Sequence, residues 1–316
     1  MKALQVKAPG KVEFVDIPVP SPAENEVLIQ IKAWSICNQH DLKVYHGKYG
    51  EEQSRRMGLT YPVPPGSPGH EASGIIERTG SAVKNLKEGD HVAMTGAGGP
   101  GTYQEYVTRD ANWVVKIDKK IPFEESAPLE LAVCVTNAVR MAEPKDKIVG
   151  ISGLGPAGLF AVQIAKAMGA KKTIGIDVKK ERLEIAKELG ADIALNANET
   201  EKIKNQDIEV IVECSGNARA VENSFEIARG EVIIFGYTDE EIRVNQVTWF
   251  WKELVIRNAA MLGKDGMENF RFAAGLLEQG KLNIRRLISK VMHFDDYEKA
   301  LGIIESGQVL KIVLIP

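Results

Sequence analysis

Three side chains near the start of the chain have types that suit metal chemistry: Cys37, His70 and Glu71. Zinc accepts cysteine sulfur, histidine nitrogen and carboxylate oxygen, and a catalytic zinc keeps one position open. Cys37 is the only cysteine in residues 1–120, and a cysteine and a histidine from different loops can converge on such an ion. Taken singly, a cysteine is more often a small buried apolar residue, and a His-Glu pair more often lies on the surface. The setting adds information. The run Gly69-His70-Glu71-Ala-Ser-Gly74, then Gly80 and Val83, then Gly89-Asp90-His91-Val92, places glycines where two strands and a turn need them.

A second pattern, Gly153-Leu154-Gly155-Pro156-Ala157-Gly158, is a GxGxxG. Alone it is weak in a chain with 29 glycines. Here it follows a strand-like run and opens a helical one, the context a dinucleotide loop requires. The first glycine permits the turn, the second lets backbone approach a pyrophosphate, and the third lets helix and strand pack closely. The helix N-terminus faces the anion. Asp177 lies 19 residues beyond Gly158 at the end of the next strand. A carboxylate there accepts hydrogen bonds from ribose hydroxyls and repels a 2′-phosphate, which favours NAD over NADP. Lys179 and Lys180 pull the other way, while Arg182 lies against the adenine or packs at the surface. The competing reading is a glycine turn in a sheet that binds no nucleotide.

The elements that must position these groups divide into two styles. Residues 1–120 read as strands and turns: Val27–Ala33 alternates apolar and polar from Ile29, and Ala8-Pro-Gly10, Pro18–Pro22, Pro62–Gly69 and the loop Gly96–Gly101 break it. This half predicts an antiparallel barrel or sandwich. Beyond residue 120, strand-like runs (147–152, 173–177, 193–195, 210–213, 231–235, 254–256) alternate with helical ones (159–168, 181–189), which predicts a doubly wound parallel sheet. A helix over 269–279 and a strand over 311–315 follow. The expected division is 1–121, 122–262 for the cofactor domain, and 263–316 completing the first domain.

Length and composition are those of a globular protein of two ordinary domains: 316 residues, 44% hydrophobic and 26% charged. No apolar run approaches the roughly 18 residues of a membrane span. The opening MKALQVKAPGKVEF lacks the apolar stretch of a signal peptide. A net charge of −3 suggests neither a nucleic-acid nor a membrane partner. Three scattered cysteines give no disulfide framework, and a cytoplasmic setting is expected.

The pattern GHE-x2-G-x5-G-x2-V at 69–83, with the GDHV turn, the GLGPAG loop, the Glu213-Cys-Ser-Gly216 turn and the Lys311-Ile-Val ending, resembles the zinc-containing alcohol and polyol dehydrogenases of the medium-chain superfamily along the whole chain. The resemblance implies an α/β protein: a GroES-like β-barrel catalytic domain, then a Rossmann domain, with the active site in the cleft between them. It implies Cys37 and His70 as zinc ligands. Glu71 is a ligand in some members and an outer neighbour in others. Glu130 matches a glutamate near the zinc, where simple alcohol dehydrogenases have cysteine, which leans toward polyols. Cys134 is its rival, set aside because Glu130 aligns without a gap. Ser215 and Gly236 join the glycine loop as cofactor-binding residues. The implied chemistry is Lewis-acid assistance by zinc and hydride transfer between substrate and NAD. Dimers or tetramers are usual in such families.

Two departures matter. The stretch Ala93–Gln104 holds none of the four cysteines of the family's structural-zinc lobe, so one zinc per chain is expected. In Cys37-Asn-Gln-His-Asp-Leu42, Gln39 takes the position of the relay hydroxyl and His40 that of the usual aspartate. His40 is then the candidate proton carrier, oriented by Asp41 and titrating in the right range; a structural histidine is the competing reading, and His46 a weaker candidate. Thr248-Trp-Phe-Trp-Lys252 resembles a subgroup without a firm substrate, and lines a substrate pocket, a subunit surface or the core. The rivals are a zinc-free quinone or enone reductase of the same superfamily and a nucleotide-binding protein without catalysis.

Overall fold

A computed structural model describes residues 1–49, 59–259 and 261–316. The chain forms two compact units, Met1–Glu130 with Ile284–Pro316, and Leu131–Asn283. These junctions fall later than the sequence suggests, for physical reasons. Helix Phe123–Ser126 packs on strands of the first unit, with Ser73 Oγ donating to Phe123 O at 2.7 Å. Helix Gly266–Glu278 stays with the second: Glu268 pairs with Arg140 at 2.6 Å, and Asn283 N donates to Gln163 Oε1 at 2.6 Å.

In the first unit β1 (Lys2–Ala8) and β2 (Lys11–Asp16) pair antiparallel, and the rest is organised by β3 (Glu26–Ser35), ten residues long and largely buried. One side of β3 pairs antiparallel with β4 (Glu71–Thr79). The other is shared by β6 (Tyr106–Asp110), along Glu26–Gln30, and β15 (Lys311–Ile315), at Trp34 and Ser35. With β5 (His91–Met94), β7 (Val114–Lys116) and β14 (Ile288–His293), the sheet runs β14-β15-β3-β4-β5-β7. Among the described residues its strand pairings are antiparallel except β14–β15, as expected for a predominantly antiparallel domain. The core joins early and late parts of the chain: Trp34 stacks on Phe294 with centroids 4.2 Å apart.

The second unit is a six-stranded, wholly parallel sheet. Its strands are β8 (Ile148–Ser152), β9 (Lys172–Asp177), β10 (Ile193–Asn196), β11 (Val210–Glu213), β12 (Glu231–Ile234) and β13 (Val255–Asn258). They lie in the order β10-β9-β8-β11-β12-β13. The order reverses between β8 and β11, and ligands bind at the carboxyl ends of strands at such a switch point. Thr248-Trp-Phe-Trp belongs to helix Gln246–Lys252, none of whose residues is buried.

Candidate metal and dinucleotide sites

The register of β3 on β4 assembles the first site. Ser35, at the end of one strand, faces Glu71, at the start of the other, so Cys37 and His70 emerge side by side. Gly69 has no Cβ because one would meet Tyr103 N at 2.6 Å. His70 Nδ1 lies 3.0 Å from Pro68 O. A carbonyl only accepts, so Nδ1 carries the proton and Nε2 is left for a ligand. One donor atom from each of Cys37, His70 and Glu71 lies within 4.8 Å of the others. Sulfur, imidazole nitrogen and carboxylate oxygen are a zinc donor set, and the ring is held as a ligand histidine is held. The residues therefore fit the metal.

Glu130, buried in helix Leu129–Met141, stands outside that 4.8 Å group, but its charge bears on His70. Burial alone would push the His70 imidazole down. The hydrogen bond and charge of Cys37, with the charges of Glu130 and Glu71, outweigh it and hold His70 well above the usual histidine range. Cys134 is buried in the same helix and is not in the group.

His40 opens helix His40–His46, and its ring stands edge-on to His70, centroids 5.2 Å apart. Its Nδ1 lies 2.6 Å from Tyr49 Oη. Two expectations are corrected here. Burial, and then the charge of His70, press His40 down to about 3, so it does not titrate near neutrality. Asp41 does not orient it: Asp41 Oδ2 accepts from Cys37 N at 2.9 Å and Tyr103 Oη at 2.5 Å. Successive helical side chains diverge, and Asp41 supports the cysteine turn instead. Burial raises its carboxyl to about 6 against the pull of His70, Tyr103 and the Cys37 N–H. His46 is engaged elsewhere, with Nε2 2.6 Å from Glu305 Oε1.

Sequence reasoning missed Lys311 as a site residue. Its ammonium reaches both oxygens of Glu71, at 2.9 and 2.7 Å, with both side chains buried. The only signal in the sequence is a lysine opening an otherwise apolar strand.

The second site lies at the carboxyl ends of β8, β11 and β12. Gly153 has φ +82°, and a Cβ on it would meet Ser215 Cα at 2.6 Å. A Cβ on Gly158 would meet Gly153 O at 1.8 Å. A Cβ on Gly155 would meet nothing within 4 Å. Two glycines are thus required by the protein itself, while the middle one faces open space, as a backbone that receives a pyrophosphate should. Pro156 opens helix Pro156–Ala167, where its missing N–H costs nothing. Asp177 accepts from Leu154 N at 2.7 Å and Lys179 N at 2.8 Å, with Arg182 3.5 Å away. Arg182 is therefore placed against the carboxylate. Ser215 donates to Glu213 Oε1 through its N–H at 2.9 Å and through its hydroxyl. Gly236 backs onto Gly216 and Glu213, where a Cβ would come within 2.3 Å of Gly216 N.

Residues 23–119 match the alcohol dehydrogenase GroES-like domain, and residues 156–278 match the zinc-binding dehydrogenase family. The chain is 28% identical to an L-threonine 3-dehydrogenase of Bacillus velezensis, over 95% of this chain and 94% of that one. It is 27% identical to a D-xylulose reductase A of Aspergillus oryzae, over 96% and 93%. The solved galactitol-1-phosphate dehydrogenase of Escherichia coli shares the fold with a TM-score of 0.86 at 24% identity, both chains fully covered. This chain belongs to the zinc-containing medium-chain dehydrogenase superfamily and is an oxidoreductase with a GroES-like and a Rossmann-type domain. Among the described residues, no helix is long and apolar enough to cross a membrane.

Proposed function

We propose that this oxidoreductase interconverts a small alcohol or polyol and its carbonyl compound with NAD(H), using one zinc ion held by Cys37 and His70 beside the carboxylates of Glu71 and Glu130. The observation that carries the reading is the 4.8 Å grouping of Cys37, His70 and Glu71. When bound, zinc supplies Lewis acidity toward the substrate oxygen and the nicotinamide exchanges hydride. The chain's own residues orient and move protons. Pro68 O fixes the His70 ring, and Asp41 holds the Cys37 turn. His40, neutral at physiological pH, would accept a proton at Nε2 while releasing the one on Nδ1 to Tyr49 Oη, 2.6 Å away. Gly153, Leu154, Gly155, Pro156, Ala157 and Gly158, with Ser215 and Gly236, form the dinucleotide cradle. Asp177 favours a free ribose hydroxyl over a 2′-phosphate.

Elemental analysis combined with an NAD-reduction screen over polyols, sugars and simple alcohols tests this. One zinc per chain, turnover of a polyol, and faster turnover with NAD than with NADP are expected. Two zinc ions or none, or a preference for NADP, would overturn the corresponding part. His40→Ala should keep its zinc and lose roughly 10²–10⁴-fold in turnover; full turnover would remove His40 from the relay.

The oligomer is proposed to form through the exposed apolar stretch around β13, which carries Val247, Trp249, Phe250, Trp251 and Val255. Patches of this kind mark association surfaces. A monomer by light scattering at micromolar concentration would dismiss this. A cytoplasmic location accords with three cysteines that form no disulfide.

A further inference from the structure

An ammonium has three hydrogens to donate, and Lys311 spends them on two segments of the metal site. Its Nζ lies 2.6 Å from Ile36 O and 2.9 and 2.7 Å from the two oxygens of Glu71. Ile36 precedes Cys37, and Glu71 follows His70. One buried cation therefore ties the segment bearing the sulfur donor to the segment bearing the nitrogen donor. It does so from a third segment, β15, which is fixed against β3 by the pairing of Val313 with Ser35 and by Ile36 N donating to Ile312 O at 3.1 Å. Lysine and glutamate side chains are each 1% exposed.

This arrangement bears on which carboxylate the metal receives. Glu71 belongs to the 4.8 Å group, yet both its oxygens are engaged by the lysine. Binding a metal through either oxygen would divide the carboxylate between two cations and weaken its charge-assisted hydrogen bonds to a buried ammonium, which is unfavourable. Resting on the zinc reading above, we propose that Lys311 is a positioning residue that keeps Glu71 beside the metal but out of its coordination sphere. Glu130, whose charge already bears on His70, is then the carboxylate left to approach the metal, and one position stays open for the substrate, the feature that separates a catalytic zinc from a closed structural one. Without the lysine, Glu71 would close that position.

The test uses the full chain loaded with cobalt(II), read by its visible d–d and thiolate charge-transfer bands and by the rate at which excess chelator strips the metal. In Lys311→Met, Glu71 is expected to join the metal. The d–d bands should shift toward higher coordination, and stripping should slow roughly tenfold, the scale on which outer-sphere changes move metal affinity. Lys311→Arg, which can still bind both oxygens, should keep the wild-type spectrum. The double variant Lys311→Met/Glu71→Gln should return to the wild-type spectrum and stripping rate. A merely structural lysine would instead give faster stripping without a new spectrum, and that result overturns the proposal, as does a double variant that fails to revert. Should Lys311→Met not fold, Glu71→Gln alone decides: an unchanged cobalt spectrum supports the proposal, and a changed one makes Glu71 a ligand. If wild-type protein takes up neither zinc nor cobalt, the metal reading itself falls. Wild-type protein that binds cobalt with a spectrum identical to that of Lys311→Met rejects only the role of the lysine.

Discussion

Each unit contains a glycine-rich loop, and the two use glycine differently. In Gly96–Gly101 of the first unit, the space a side chain would take is already filled by protein: a Cβ on Gly98 would lie 2.2 Å from Trp113 Cδ1. Beneath the loop, fully buried Arg109 donates to Gly96 O and Ala97 O at 3.1 Å and to Pro100 O at 2.6 Å. In Gly153–Gly158 of the second unit, the outer glycines are packed, but Gly155 faces open space. The charge behind that cluster is an anion, Glu213, whose Oε2 has no hydrogen-bond partner among the described residues. One loop is closed around a cation of its own, in the stretch that lacks the four cysteines. The other is left open for an anionic ligand. Glycine content alone does not distinguish a packed loop from a binding loop; what stands over the missing Cβ does.

The contrast can be broken at four places. The largest effect on stability is expected from Arg109→Met, which strips three carbonyls of their donor and should cost about 3 kcal/mol in denaturant unfolding. A loss below about 1 kcal/mol would mean that the loop stands without its cation. Gly158→Ala comes next: a methyl 1.8 Å from Gly153 O should destabilise the second unit by about 2 kcal/mol and weaken dinucleotide binding with it. Gly155→Ala separates binding from stability. Its φ of −68° suits alanine, so stability should stay within about 0.5 kcal/mol of wild type. NADH affinity by fluorescence titration should nevertheless fall roughly tenfold or more, because the methyl enters the ligand's space. Unchanged affinity would remove Gly155 from the cradle.

The smallest effect concerns Glu213. Burial raises its carboxyl, with Ser215 and the Gly216 N–H pulling back. A folded pKa above the unfolded one gives stability that is present below the unfolded value and lost as pH rises through the folded value. Glu213→Gln does not ionise, so its stability relative to wild type should rise as pH climbs from the ordinary carboxylate range through the raised value of Glu213. Parallel curves for the two proteins would contradict this.

Much of this arrangement can be read in the sequence where the physics is local. The buried strands β8 and β11 are mainly apolar runs, and the glycine loop between β8 and its helix sits in a strand–turn–helix context that periodicity reveals. Cys37, His70 and Glu71 are legible by residue type and through the resemblance to zinc-containing dehydrogenases. What escaped depends on contacts distant in sequence or on burial. Lys311 meets Glu71 across 240 positions, and no local pattern announces the pair. The neutral state of His40 follows from desolvation, which a sequence does not display. Asp41 stands next to His40 in the chain but turns the other way once the helix begins. Of the places open to the aromatic run Trp249-Phe-Trp251, a substrate pocket, a subunit surface or the core, burial removes only the core: it forms a short helix with its rings exposed.

The late arrival of β15 has a consequence for how the protein is made. The whole of Leu131–Asn283 is synthesised between the segments of the first unit. A nascent chain therefore carries Cys37, His70 and Glu71 while β3 still lacks its partner β15 and Glu71 still lacks its lysine. In that interval an open strand edge invites misassociation. A metal ion captured then would meet a carboxylate that nothing restrains, and could be trapped with its coordination closed. If Lys311 acts as proposed, metal acquisition is tied to the timing of synthesis: the ion is best received after the lysine has taken its place.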